Sequence, residues 1–329
     1  MNSFGTFFRI HIFGESHGTA VGICIDNCPA GIDLKQEDFL LDISRRKSGS
    51  KGTTPRQEDD IPEIISGVFN GKTTGAPITI LFKNNNVISK DYSNLVDTPR
   101  PGHADFTAKV KYGGYNDYRG GGHFSGRLTL CLVAAGVIAK KICKPIDINA
   151  RLIEAGGQTD IEKAIEEALS KKDSIGGIVE CIAENMPVGL GEPFFNSIES
   201  LISHIVFSIP AIKGIEFGSG FAAAKMKGSE HNDLIIDTNG KTEKNNAGGI
   251  NGGISNGNNL IFRVAVKPTS SIAIPQETIN FKSGQKEKLE IKGRHDACIA
   301  LRVPVVIEAA TAIVFADLLL QEQFAKRKY

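Results

Sequence analysis

Hydrophobic positions recur at helical spacing in three segments. In residues 159–172, Ile161, Ala164, Ile165, Ala168 and Leu169 share one face, and Thr159 with Glu162 three residues on has the form of a capping box. This pattern predicts a surface helix with one buried stripe. Residues 127–143 (RLTLCLVAAGVIAKKIC) are apolar nearly all round, which predicts a helix enclosed by the core. Residues 304–326 have the same character and open on Pro304, which a first helical turn tolerates because its missing N–H has no partner there.

Short β-branched runs bounded by Gly, Pro or Asn predict strands at 21–25, 76–82, 177–183 and 260–266. Strands and helices follow one another in mixed order rather than in regular alternation. That predicts α+β layers, not a doubly wound parallel sheet. The polar stretch 238–259 reads as a long ordered loop or insertion, and with no repeat or low-complexity linker the chain reads as one compact domain over 1–329.

Composition changes this picture little. The 329 residues are 41% hydrophobic and 23% charged, ordinary for a globular protein, with glycine the outlier at 36. A net charge of +1 gives no global electrostatic case for nucleic acid, so local basic clusters must be read as sites. The six cysteines show neither a C-x-x-C pair nor a His at zinc spacing, and they read as reduced, mostly buried thiols. No basic segment with an apolar run opens the chain, and no run approaches the ~20 apolar residues of a membrane span; the expectation is a cytoplasmic protein with no membrane partner.

The chemistry-bearing residues lie in glycine-framed loops. FGESHG at 13–18 sets Ser16 and His17 between glycines that admit a ligand to the backbone, although alone it reads more readily as a solvated turn. Residues 44–56 carry five cations, Arg45, Arg46, Lys47, Lys51 and Arg56, among Ser, Thr and Gly. Guanidinium forks suit phosphate and carboxylate, and the competing reading is a helix end whose cations complement the dipole. RPGHAD at 100–105 and RGGGHFSGR at 119–127 follow. The second opens the apolar helix, where free N–H groups and the dipole make a ready anion site. Later come GGISNG at 252–257, KPTSS at 267–271 and GRHD at 293–296, whose Asp296 reads either as a base or as an ion-pair partner. Residues 67–73 imitate a phosphate-binding loop with three residues instead of four between the glycines, and no dinucleotide fingerprint or metal motif appears.

Taken together and in order, FGESHG, RPGHAD, RGGGH, GGISNG, KPTSSI and GRHDAC resemble the chorismate synthase family over nearly the whole chain. The resemblance implies a β-α-β sandwich, with helices between antiparallel sheets, assembled as a homotetramer. It implies a lyase that eliminates phosphate from 5-enolpyruvylshikimate 3-phosphate, with reduced FMN (FMNH2) present but not consumed. By the same resemblance His17 acts on the departing phosphate, His103 keeps the flavin in its productive charge state, and Asp296 is the base toward flavin N5. Ser16 and Ser125 relay or position. Arg46, Lys51, Arg56, Arg100, Arg127 and Arg294 hold the substrate's anionic groups. The flavin contacts would be His123, Phe124, Ser125, Pro210, Ala211, Gly252, Lys267, Pro268, Thr269, Ser270, Ser271 and Arg294.

The chain departs from the family pattern at three places: His123–Thr129 stands where Arg-Ser-Ser-Ala-Arg-Glu-Thr is common, Lys51 replaces Arg, and Pro210 replaces Asn. A lysine offers a point charge and no fork, which puts a bidentate contact at Lys51 in doubt. Some family members reduce their own flavin with NADPH. Lacking a dinucleotide fingerprint, this chain is expected to take reduced flavin from an external reductant. The competing readings are a flavin reductase-type flavoprotein and a non-catalytic phosphate-ligand binder.

Overall fold

The computed structural model describes residues 1–54, 58–85, 95–291 and 295–324. A first antiparallel sheet comprises β1 (Ser3–Phe4), β2 (Arg9–Gly14), β3 (Ala20–Asp26), β4 (Glu63–Ser66) and β7 (Ile78–Lys83), in the order β1-β2-β3-β7-β4. The second comprises β8 (Asp147–Ala155), β9 (Gly177–Glu184), β10 (Ile212–Phe217) and β13 (Leu260–Val266), in the order β10-β13-β9-β8. In β13 the even-numbered residues Leu260, Phe262, Val264 and Val266 are buried and the odd ones less so, as the period of a half-buried strand requires. Ile78, Ile80 and Phe82 do the same for β7. Three two-stranded hairpins complete the strands: β5 (Val68–Phe69) with β6 (Lys72–Thr73), β11 (Ile250–Asn251) with β12 (Ile254–Ser255), and β14 (Gln276–Ile279) with β15 (Lys286–Leu289).

Between the sheets run the two apolar helices, α3 (Thr129–Ile142) against β2 and β3, and α7 (Pro304–Phe324) against β8 and β9. They also pack on each other. A Cβ on Gly136 of α3 would fall 2.3 Å from Ala309 Cβ, so only glycine lets the backbones come this close. Shorter helices flank them: α1 (Leu40–Arg46), α2 (Asp105–Lys111), α4 (Ile161–Ser170), α5 (Ile198–Val206) and α6 (Gly228–His231). This is the expected α+β architecture, helices sandwiched by antiparallel sheets.

Details differ from expectation. Asp160, not Thr159, caps α4, accepting from the Lys163 amide at 3.1 Å. A carboxylate there suits the dipole better than a hydroxyl. Contrary to the expectation that no run reaches spanning length, α7 is long and apolar enough to cross a membrane by composition, yet most of it is buried inside the molecule, as a core helix requires. The phosphate-loop imitation at 67–73 is the β5–β6 hairpin, and its Lys72 pairs with Asp33 at 2.7 Å. All six cysteines are free and five are buried; burial pushes the Cys131 and Cys143 thiols up to about 12.

One buried carboxylate ties helix α7 to the turn between β1 and β2. Asp317 of α7 accepts the amides of Thr6, Phe7 and Phe8 at 3.1, 2.6 and 2.9 Å, and so fixes the turn between β1 and β2.

Candidate active site

Where β2 ends at Gly14, the chain turns through Glu15, Ser16 and His17 under two clamps. Asn84 donates to Glu15 O and Gly18 O at 3.0 and 2.8 Å, and the Ser16 amide donates to Gly122 O at 3.1 Å. Ser16 and His17 are both buried. The Ser16 hydroxyl donates to Gly120 O at 3.0 Å, so at 3.1 Å its oxygen accepts from His17 Nδ1. That fixes the ring and makes Nε2 its second proton-bearing position. The run after Arg119 is glycine for a steric reason: Gly120 sits at φ +58°, and a Cβ there would lie 2.1 Å from His17 Nδ1. His123 clamps the same turn, with Nδ1 2.8 Å from Gly14 O and Nε2 3.1 Å from Asn2 Oδ1.

A second unit surrounds Asp105. Arg100 forks onto its carboxylate at 2.8 Å from both Nε and Nη2, and His103 Nδ1 lies 2.6 Å from Oδ1. The short charge-assisted bond makes Nδ1 the donor to Asp105, which sets the His103 tautomer. Burial pushes the Asp105 carboxyl up, but the bonds and charges of Arg100 and His103 outweigh it and hold the group well below the usual carboxylate range. Arg100 Nη1 reaches on to Ser271 Oγ at 3.2 Å, and Ser270 Oγ donates to Gly102 O at 2.7 Å, so the 267–271 loop docks on this unit.

These loops, the start of α3 and the segment before α7 enclose a cavity of about 620 Å³. Among the described residues, six cationic side chains line it (Arg46, Lys47, Arg127, Lys213, Lys267 and Arg302) against three carboxylates, Glu58, Asp60 and Asp296. Asp60 lies between two arginines, 2.7 Å from Arg127 Nη1 and 3.4 Å from Arg46 Nη1. Burial and the nearby charge of Arg302 bring the Arg46 guanidinium down to about 10. The expected free amides at the start of α3 are partly taken, since Ser125 Oγ accepts from Arg127 N at 3.3 Å; guanidinium charge dominates here instead. Asp296 Oδ1 accepts the Thr54 amide at 2.9 Å, while Oδ2 lies 3.8 Å from Arg302 Nη2. Burial and the charge of Arg100 lower His295. Among the described residues four buried polar atoms have no partner, and two of them, Thr269 Oγ1 and Arg302 Nε, belong to this wall.

The family model for chorismate synthase matches residues 8–320. A chorismate synthase of Chitinophaga pinensis is 66% identical, covering 100% of this chain and 99% of its own length. One from Dehalococcoides mccartyi is 47% identical with 97% of each chain covered. The chain belongs to the chorismate synthase family. A solved chorismate synthase crystal structure superposes with a TM-score of 0.74 at 29% identity, covering 97% of this chain and 93% of that one.

The family-derived residues can now be placed. His103, Ser125 and Asp296 line the cavity, whereas Ser16 and His17 adjoin it through Gly120. Arg46 and Arg127 line it, and Arg100 is joined to it through Ser271. Lys51 is not among the wall residues and forms an exposed ion pair with Glu166 of α4. Arg56 and Arg294 lie outside the described residues. Of the flavin set, His123, Phe124, Ser125, Pro210, Ala211 and the run from Lys267 to Ser271 all line the cavity. Gly252, in the turn between β11 and β12, does not. Asp60, Asn84 and Arg302 were missed by sequence reasoning. Asp60 sits in an acidic run that reads as solvated surface, and Arg302 follows the last motif; neither has a local signal.

Proposed function

We propose that this cavity performs the family's reaction, the 1,4-anti elimination of phosphate from 5-enolpyruvylshikimate 3-phosphate to give chorismate, the last step of the shikimate pathway. The observation that carries the reading is a wall in which, among the described residues, six cations face three carboxylates, flanked by two oriented imidazoles. Phosphate leaves with the electron pair of its C–O bond, a ring C–H proton is lost, and the ring gains a second double bond conjugated with the first.

The wall suits reduced FMN as well as the substrate. Its volume lies within the range of small-molecule sites, Phe124 offers an aromatic face, and Thr269 Oγ1 is a buried hydroxyl without a partner. Ala211 holds φ +76°, a strained conformation of the kind that collects at ligand sites, and its carbonyl accepts the Lys267 amide at 2.8 Å. Residues 210–211 and 267–271, with Phe124 and Ser125, would hold the group. When bound, it supplies reversible donation of electron density, so an allylic C–O bond breaks without net redox change.

The chain's own residues do the rest. Arg46 and Arg127 stabilise charge on the leaving phosphate, a task for preorganised donors. His17 delivers a proton to that phosphate from Nε2, its ring held by Ser16. His103 holds its Nδ1 proton toward Asp105 and presents Nε2 to the ligand. Asp296 accepts a proton at Oδ2 because Oδ1 is held by the Thr54 amide. Each such group contributes on the order of 10²–10⁴-fold. The reading includes a homotetrameric, cytoplasmic enzyme that takes reduced flavin from an external reductant.

The test is anaerobic incubation with the enolpyruvyl ester and dithionite-reduced FMN, following phosphate and the conjugated diene. Both should appear together in equal amounts. No diene above an enzyme-free control would reject the reading, and turnover on NADPH without any reductase would reject the external reductant.

A further inference from the structure

The arginines of the cavity differ in how far their donors are already committed. Arg46 donates from Nε to Thr129 Oγ1 at 3.1 Å, from Nη1 to Asp60, and from Nη2 to Gly126 O and Arg127 O at 3.1 and 3.3 Å. Arg127 donates to Asn84 Oδ1, Asp60 Oδ1 and Lys83 O at 2.6, 2.7 and 3.3 Å. Arg302 is unlike both. Its one carboxylate contact is Asp296 at 3.8 Å, beyond hydrogen-bond length, and its Nε is buried without a partner. A buried donor left unpaired costs about 1–3 kcal/mol, so an uncommitted guanidinium in a cavity wall gains by meeting an acceptor.

Resting on the proposed elimination, we infer that Arg302 is a further substrate-binding residue, whose guanidinium takes oxygens of the phosphate that the reaction expels. A doubly charged oxyanion is the fitting acceptor because Arg302 lines the same wall as Arg46 and its charge helps to lower the Arg46 guanidinium. Asp60 is already divided between Arg46 and Arg127, and Asp296 is bound to Thr54 through one oxygen. Asp60 and Asp296 thus leave positive charge on Arg46 and Arg302 that an incoming dianion would neutralise. A fork also gives two parallel bonds to phosphate, which a lysine cannot.

Three proteins decide the matter: the parent, R302K and R302Q. Calorimetric titration with inorganic phosphate reads binding without any need for turnover, and steady-state kinetics with the enolpyruvyl ester reads KM and kcat. R302Q is expected to weaken phosphate binding at least tenfold and to raise KM in proportion. R302K should fall between, and it carries the test alone if R302Q melts below the assay temperature. Parental phosphate affinity in either variant would overturn the inference. A fall in kcat with unchanged KM and phosphate binding would also overturn it, making Arg302 a positioning residue for Asp296 instead. If the parent binds phosphate but forms no chorismate, the elimination reading fails while the phosphate contact is still judged by the titrations.

Discussion

Arg45 and Arg46 are consecutive on α1, yet they enter opposite kinds of charge cluster. Arg45 forks onto Glu308 of α7 at 2.6 and 2.7 Å, and Lys140 of α3 bridges Glu308 and Asp42 at 2.9 and 2.7 Å. Two cations face two carboxylates, and Glu308 also accepts the Ala150 amide at 3.0 Å. Burial pushes the Glu308 carboxyl up, but Arg45 and Lys140 hold it below its ordinary value. One residue on, Arg46 shares Asp60 with Arg127 and lies under the charge of Arg302. The balanced cluster joins α1, α3 and α7; the unbalanced one leaves a field for an anion. Adjacent residues of one type thus enter a balanced and an unbalanced charge cluster, according to which face of α1 they leave.

The largest effect expected from breaking that division is on the chemical side. H17A and H103A should lower turnover by ~10²–10⁴-fold in single-turnover phosphate release, while thermal melting and binding of oxidised FMN stay close to the parent. Parental turnover in both variants would remove the imidazoles from the chemistry.

On the structural side, E308Q removes one of the two carboxylates that Arg45 and Lys140 share, leaving Asp42, and should cost about 2 kcal/mol in urea unfolding, with turnover per folded molecule unchanged. Its pH dependence follows from the sign of the shift. The folded Glu308 titrates below its ordinary 4.5, so its contribution is fully present above that pH and is lost as pH falls through the folded value. E308Q should therefore flatten the acid limb of stability below about pH 4.5; an unchanged limb would assign acid unfolding to other carboxylates such as Asp105.

G120A couples the two sides. Left-handed backbone at φ +58° and overlap with the His17 ring should cost about 1–3 kcal/mol and lower turnover together. A drop in melting temperature alone would separate the turn from the chemistry. The smallest effect belongs to K51A. An exposed pair with Glu166 is worth no more than about 0.5 kcal/mol, so stability and KM should stay within about twofold of the parent. A tenfold rise in KM would return Lys51 to the substrate set.

Much of the fold was legible because burial imposes periodicity. Helix α4 announces itself by that period, α3 and α7 by apolar runs too long for a surface helix, and the strands β3, β7, β9 and β13 by short β-branched runs. Strands β2 (RIHIFG) and β8 (DINARLIEA) alternate polar and apolar residues as half-buried strands do, but their charged and polar positions break the continuous β-branched runs by which the other strands were recognised. The loops carrying His17, His103 and Asp296 were visible as glycine-framed motifs, but their convergence was not. Ser16 meets Gly120, and Thr54 meets Asp296, across separations that no local pattern encodes. Arg302 was illegible for the same reason: its distinction is the lack of a committed acceptor, a property of the assembled wall.

The carboxylate of Asp317 adds a constraint of timing. The amides it receives, from Thr6 to Phe8, were made more than 300 residues earlier in synthesis, and they precede the strand that delivers Ser16 and His17 to the cavity. A growing chain that has not yet reached residue 317 has no acceptor for those amides. Contacts between the first and last elements are also the costliest to close. The turn that leads into β2 is therefore secured only after residue 317 has been made, so the two sheets and the helices between them must close as one unit.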